Sequence, residues 1–78
     1  MKLGTLIKVL NPNEYLIEII DNKNIRLFFG FLNEMTKNEY KILKSLTVLA
    51  VNPFSEEINS DGESAVMLQI RTEDYVNA

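Results

Sequence analysis

Tyr15-Leu16-Ile17-Glu18-Ile19-Ile20-Asp21-Asn22-Lys23-Asn24-Ile25-Arg26-Leu27-Phe28-Phe29-Gly30 is the stretch that decides the fold. Two runs rich in β-branched and aromatic residues flank four polar residues, Asp21 to Asn24, whose length and chemistry suit a hairpin turn. The first run alternates, and Glu18 marks its outward side. Gly30 interrupts the second run where a bulge or sharp bend is useful, and Phe31 and Leu32 continue it. Upstream, Thr5 to Leu10 is apolar and β-branched and ends at the turn residues Asn11-Pro12-Asn13-Glu14. These segments predict three strands in an antiparallel meander.

The period then changes. Thr36-Lys37-Asn38-Glu39 has the form of a capping box. Behind it Ile42, Leu43 and Leu46 share one helical face, and Lys37, Lys41 and Lys44 share the other, a solvated one. A helix over residues 37–45 is expected. Thr47 to Val51 reads as a strand that stops at Asn52-Pro53, because proline cannot donate to a ladder. Ser55 to Ser64, with Asp61-Gly62, reads as a polar loop. Ala65 to Arg71 is a last strand, and Thr72 to Ala78 is a polar tail.

The element order is therefore β-β-β-α-β-β in a single domain over residues 1–78, a mainly β chain of the α+β class. The expected architecture is a small five-stranded antiparallel barrel-like sheet, OB-like or SH3-like in order and size. The alternative is an open antiparallel sheet with one helix packed on a face. Apolar residues on both faces of the strands at 15–20, 25–29 and 47–51 favour closure or association over a sheet with one wet face.

Seventy-eight residues leave such a domain marginal on its own. Burial of roughly 8,000 Å², about 60% of it apolar, supplies on the order of 120 kcal/mol. Ordering the chain at about 1.5 kcal/mol per residue costs roughly 117 kcal/mol. The near-cancellation favours self-association, and a homodimer is expected, covering some of Tyr15, Leu16, Phe28, Phe31 and Val51.

Composition removes whole classes of chemistry. There is no His and no Cys, so disulfides, thiol and imidazole catalysis and ordinary zinc sites have no ligands. No phosphate-cradling glycine loop and no nucleophile elbow occurs. The carboxylates Glu56-Glu57 and Asp61/Glu63 lack an apolar surround to raise one of them. The Asn59-Ser60-Asp61-Gly62 stretch lacks the spacing of a calcium loop. No enzyme, metal or other cofactor is expected. Apolar runs are too short for a membrane span, and no cleavable leader is evident, so the expected setting is cytoplasmic.

The net charge of −3 is unevenly placed. Residues 1–54 sum to +2 (seven basic, five acidic), and residues 55–78 to −5 (one basic, six acidic). Duplex nucleic acid is disfavoured, because its binding needs many Lys/Arg–phosphate contacts. The acidic third suits either a solubility role or a patch aimed at another protein with a basic surface. The candidate partner-binding residues are therefore Tyr15, Phe28 and Phe31 on the meander with Glu56, Glu57, Asp61 and Glu63 on the loop. A competing use of Phe28, Phe29, Phe31 and Tyr15 is a stacking platform for single-stranded nucleic acid or nucleotide, flanked by Lys8, Lys23 and Arg26.

The strand pattern from Ile7 to Ile70 resembles small uncharacterised proteins of bacteriophages and prophages of Gram-positive bacteria. The residues that carry it are the Asn11-Pro12-Asn13 turn, Tyr15 to Asp21, Arg26 to Gly30, Leu43-Lys44-Ser45-Leu46 and Thr47-Val48. The resemblance implies an accessory factor or an inhibitor of a host defence protein, and no catalytic residue. The expected function is a non-catalytic protein-interaction module.

Overall fold

A computed structural model describes residues 1–12, 14–57 and 64–75, and side chains for all of these except 54–57 and 64–66. Two helices, a 3-10 turn and four strands follow in the order α1 (Leu3–Val9), β1 (Leu16–Ile20), β2 (Arg26–Phe31), the turn Leu32–Glu34, α2 (Lys37–Leu43), β3 (Val48–Glu57) and β4 (Ser64–Thr72). The strands form one open sheet in the order β2-β1-β4-β3. β1 runs antiparallel to β2 and parallel to β4, and β3 pairs antiparallel with β4. The five-stranded closed antiparallel barrel is thus overturned, and so is the all-antiparallel form of the open-sheet alternative. The sheet is mixed and open, with β2 and β3 at its edges, and Met1 and Lys2 bond the start of β3 through Val48 N (2.8 Å) and a bridge to Thr47.

The expected first strand, Thr5 to Leu10, is helix α1. Leu3, Leu6, Ile7 and Leu10 stand at i, i+3, i+4 and i+7, and Leu3 is fully buried while the other three pack against the core. That apolar stripe outweighs the strand preference of Thr5, Ile7 and Val9. Backbone bonds fasten the helix to the segment after α2: Leu3 N donates to Leu46 O (2.8 Å) and Gly4 N to Lys44 O (2.9 Å). Gly4 permits this approach, since a Cβ there would lie 2.9 Å from Lys44 Cβ.

The hairpin at Asp21 forms as its residues predict. Asp21 Oδ1 accepts from Lys23 N (2.8 Å) and Ile25 N (3.0 Å), and Asn24 takes a φ of 66°. Asparagine tolerates that left-handed conformation. The register shift lies between Ile19 and Ile20, opposite Leu27, rather than at Gly30. Gly30 stays in the ladder opposite Ile17 at a φ of 146°.

Helix α2 begins at the expected capping box, with Glu39 N donating to Thr36 Oγ1 (3.1 Å) and Thr36 N to Glu39 Oε1 (2.9 Å). β3 continues through Pro53 to Glu57, past the expected stop. Pro53 is tolerated because β3 is an edge strand with only one ladder to satisfy. Of the expected 55–64 loop, residues 55–57 and 64 belong to strands β3 and β4, and residues 58–63 lie outside the described residues. β4 reaches Thr72, and Glu73 still bonds Thr47 through its backbone N (3.0 Å) and its Oε1 (2.9 Å).

Both helices pack on one face of the sheet. Leu3, Leu43 and Leu46 meet Ile17, Ile19, Phe28, Leu68 and Ile70, all buried, and Leu32 from the 3-10 turn joins them. Two expected outcomes test this packing. Thr36→Ala loses the cap and costs about 1 kcal/mol in urea unfolding. Gly4→Ala forces α1 away from Lys44, and crowding of roughly 1–3 kcal/mol outweighs the helix-propensity gain of about 1 kcal/mol, lowering the urea midpoint.

Candidate functional site

The sheet's other face carries no described element. Paired residues on neighbouring strands share a face, so the register arranges this face in rows. Arg26, Ile20, Arg71 and Ala50 form the first row. Phe29, Glu18, Gln69 and Asn52 form the second, and Phe31, Leu16 and Met67 begin the third, where Phe54 pairs with Met67. One end is basic, the centre polar and the other end apolar. Phe29 is 48% exposed, whereas Ile20 and Met67 are buried and Leu16 and Phe31 half-buried.

A single carboxylate organises the centre. Glu18 Oε2 accepts from Arg26 Nε (3.1 Å) and Nη2 (2.8 Å), and Glu18 Oε1 accepts from Gln69 Nε2 (2.8 Å). The Arg26 guanidinium lies 4.7 Å from the centroid of the Phe29 ring, a cation–π contact. Glu18 is 13% exposed at its side chain against 59% for Arg26, so the acid is the sheltered member and the arginine the presented one. The Gln69 hydrogen bond, and after it Arg26, hold the Glu18 carboxyl below its ordinary value against the opposing pull of burial.

The sequence-derived candidates do not all meet here. Phe31 lies on this face. Phe28 is in the core at 7% exposure, and Tyr15 is half-buried against the same core on the helix side. Glu56 and Glu57 end β3, paired with Ala65 and Ser64. Those pairs lie beyond Met67, where the β1 ladder ends, so they form a two-stranded arm projecting past the body of the sheet. Asp61 and Glu63 lie outside the described residues. Glu18, Gln69 and Arg71 join the site although absent from the candidates, while Phe29 and Arg26 were named only in the competing nucleic-acid platform. Only Glu18's outward parity and Arg26's position beside the aromatics were signals for them.

Two shallow clefts open on the helix side. One of about 170 Å³ is lined by Leu27, Glu39, Ile42, Leu43 and Tyr75, and one of about 240 Å³ by Ile7, Leu32, Met35, Thr36, Lys37 and Tyr40. Both fall below the roughly 300 Å³ of ordinary small-molecule pockets. Among the described residues no three acids cluster as metal ligands, and no helix is long and apolar enough to cross a membrane. Comparison of the chain with protein-family models, curated proteins and solved structures finds no match.

Glu18 also gives the fold a pH dependence. Its folded-state value is depressed, so its contribution is full above the ordinary carboxylate value of 4.5 and is lost as pH falls through the lower folded one. Urea unfolding between pH 7 and pH 3 should show a stability loss that shrinks in Glu18→Gln. An unchanged pH profile in that variant would assign the acid sensitivity elsewhere.

Proposed function

We propose that this chain is a non-catalytic protein-interaction module whose binding surface is the helix-free face of the sheet. The observation that supports this most is Phe29, half exposed beneath a guanidinium that Glu18 holds in place, with Leu16 and Phe31 half-buried beside it. Aromatic and arginine side chains fixed in one geometry are the anchors that carry binding energy at protein interfaces, because little conformational freedom is lost on docking. The partner is another protein with a basic surface. Glu56 and Glu57 on the arm, with Asp61 and Glu63, act on the rate of encounter rather than on the lifetime of the complex. The phage-protein resemblance supplies the setting, an accessory factor or an inhibitor of a host protein.

Single-stranded nucleic acid is the second reading, favoured by the aromatic spacing of Phe29 and Phe31 and the two arginines at the basic end. Against it, Arg26 is already neutralised by Glu18 and the chain is acidic overall.

Fluorescence titration with a single-stranded oligonucleotide at low and moderate salt separates the two. The protein reading expects no binding at micromolar concentrations, and binding there would overturn it. Capture from a host lysate adds the positive arm. The captured protein should be lost with Phe29→Ser and kept with Lys41→Glu on the exposed helix face. Glutamine at 56, 57, 61 and 63 should slow its association and flatten the salt dependence. Capture unaffected by Phe29→Ser would place the binding surface elsewhere.

A further inference from the structure

We propose that in the free protein the helix-free face is covered by the same face of a second copy, related by a two-fold axis running across the strands. This deepens the interaction reading and rests on it in one respect, that the face binds protein. The argument starts from the polarity of the face. Its first row presents Arg26 and Arg71, the latter steadied by donation from Nη1 to Asp21 O (3.3 Å). Its third row is apolar, and beyond that row the register places Glu56, opposite Ala65, on this same face of the arm and Glu57 on the other. Basic end, apolar end and acidic arm therefore follow one another along the strand direction.

Two kinds of face-to-face two-fold are open to such a sheet. An axis along the strands leaves both copies pointing the same way, so the two acidic arms lie at the same end and repel. An axis across the strands reverses the partner while keeping each strand over its own copy. Each arm, built from β3 and β4, then lies over the Arg71 end of the partner's β3 and β4. Charge selects the second arrangement, and both contacts repeat by symmetry, as an isologous interface requires.

Size sets the strength. Four strands about 4.8 Å apart and five residues rising about 3.3 Å each give a face of roughly 19 by 17 Å. With side-chain relief and the arm, such a face reaches no more than the low end of specific interfaces, about 1,000 Å² in total. The dimer is accordingly weak and exchanging, and a heterologous partner with the same charge pattern competes for the same face.

The test is a charge exchange read by sedimentation equilibrium from about 10 to 500 μM at low salt, with circular dichroism confirming that each variant is folded. Wild type should move from monomer towards dimer across that range and shift back to monomer in high salt. Arg71→Glu alone and Glu56→Arg alone should each weaken association at least tenfold, since like charges then meet twice. An equimolar mixture of the two should recover it, because in the mixed dimer the acid at position 71 meets the base at 56, and the other contact is wild type. A wild-type monomer at every concentration overturns self-association while leaving the face free for a heterologous protein. Association that survives in both variants, or a mixture that fails to recover, overturns this geometry. Oligonucleotide binding that Phe29→Ser removes would instead overturn the protein reading itself.

Discussion

The parallel pairing of β1 with β4 is the constraint on which the rest of the architecture depends. A hairpin joins only antiparallel neighbours, so a parallel neighbour must be reached by a crossover. After β2 the chain stands at one edge of the sheet, and it must enter β3 at the other edge before β4 can return to the centre. The Leu32–Glu34 turn and α2 make that passage on a single face, and α1 packs against α2 on the same side. The core is therefore one-sided. What the crossover covers becomes Ile17, Ile19, Leu68 and Ile70, and what it leaves becomes the row pattern around Glu18.

Local signals in the chain were readable where one short-range interaction dominates. The Asp21 turn and the Thr36–Glu39 box are such cases, since each satisfies its own backbone donors within a few residues. Helix α1 was not readable in the same way. Seven residues of β-branched and apolar character fit either period, and only docking of Leu3 and Gly4 against residues 44–46 decides between them. Pro53 misled for a related reason, because a proline ends a central strand but not an edge strand, and edge position is a property of topology. Apolar residues on both faces of the strands at 15–20, 25–29 and 47–51 likewise suit a barrel wall or an open sheet. The parallel pairing that distinguishes these is non-local, and nothing in residues 16–20 or 67–71 taken alone encodes it.

The site was half legible for a reason of parity. Adjacent Phe28 and Phe29 must point to opposite faces, but which one meets the core depends on the shift opposite Leu27. Glu18 was visible as an outward residue in an apolar run. Its partners were less so, because Arg26 lies eight residues away and Gln69 fifty-one. A carboxylate sheltered in the centre of a sheet face carries a desolvation cost that those partners offset. Its presence in the sequence therefore implied them without naming them.

Under the proposed reading, the same carboxylate links stability to recognition. An exposed salt bridge contributes little to folding, roughly 0–1 kcal/mol, because water screens it and two side chains lose freedom. Here the acid is sheltered and bonded at both oxygens, while the arginine remains open to solvent above a ring. The folded chain thus prepays the ordering of Arg26, and a docking surface gains a guanidinium whose direction is already set. Covering that face with protein excludes water and strengthens the Glu18–Arg26 contact, so association and folding reinforce each other in a domain whose own balance of burial against entropy is close to zero. A surface of this kind is stabilised by whatever covers it, and the small size of the face keeps that cover replaceable.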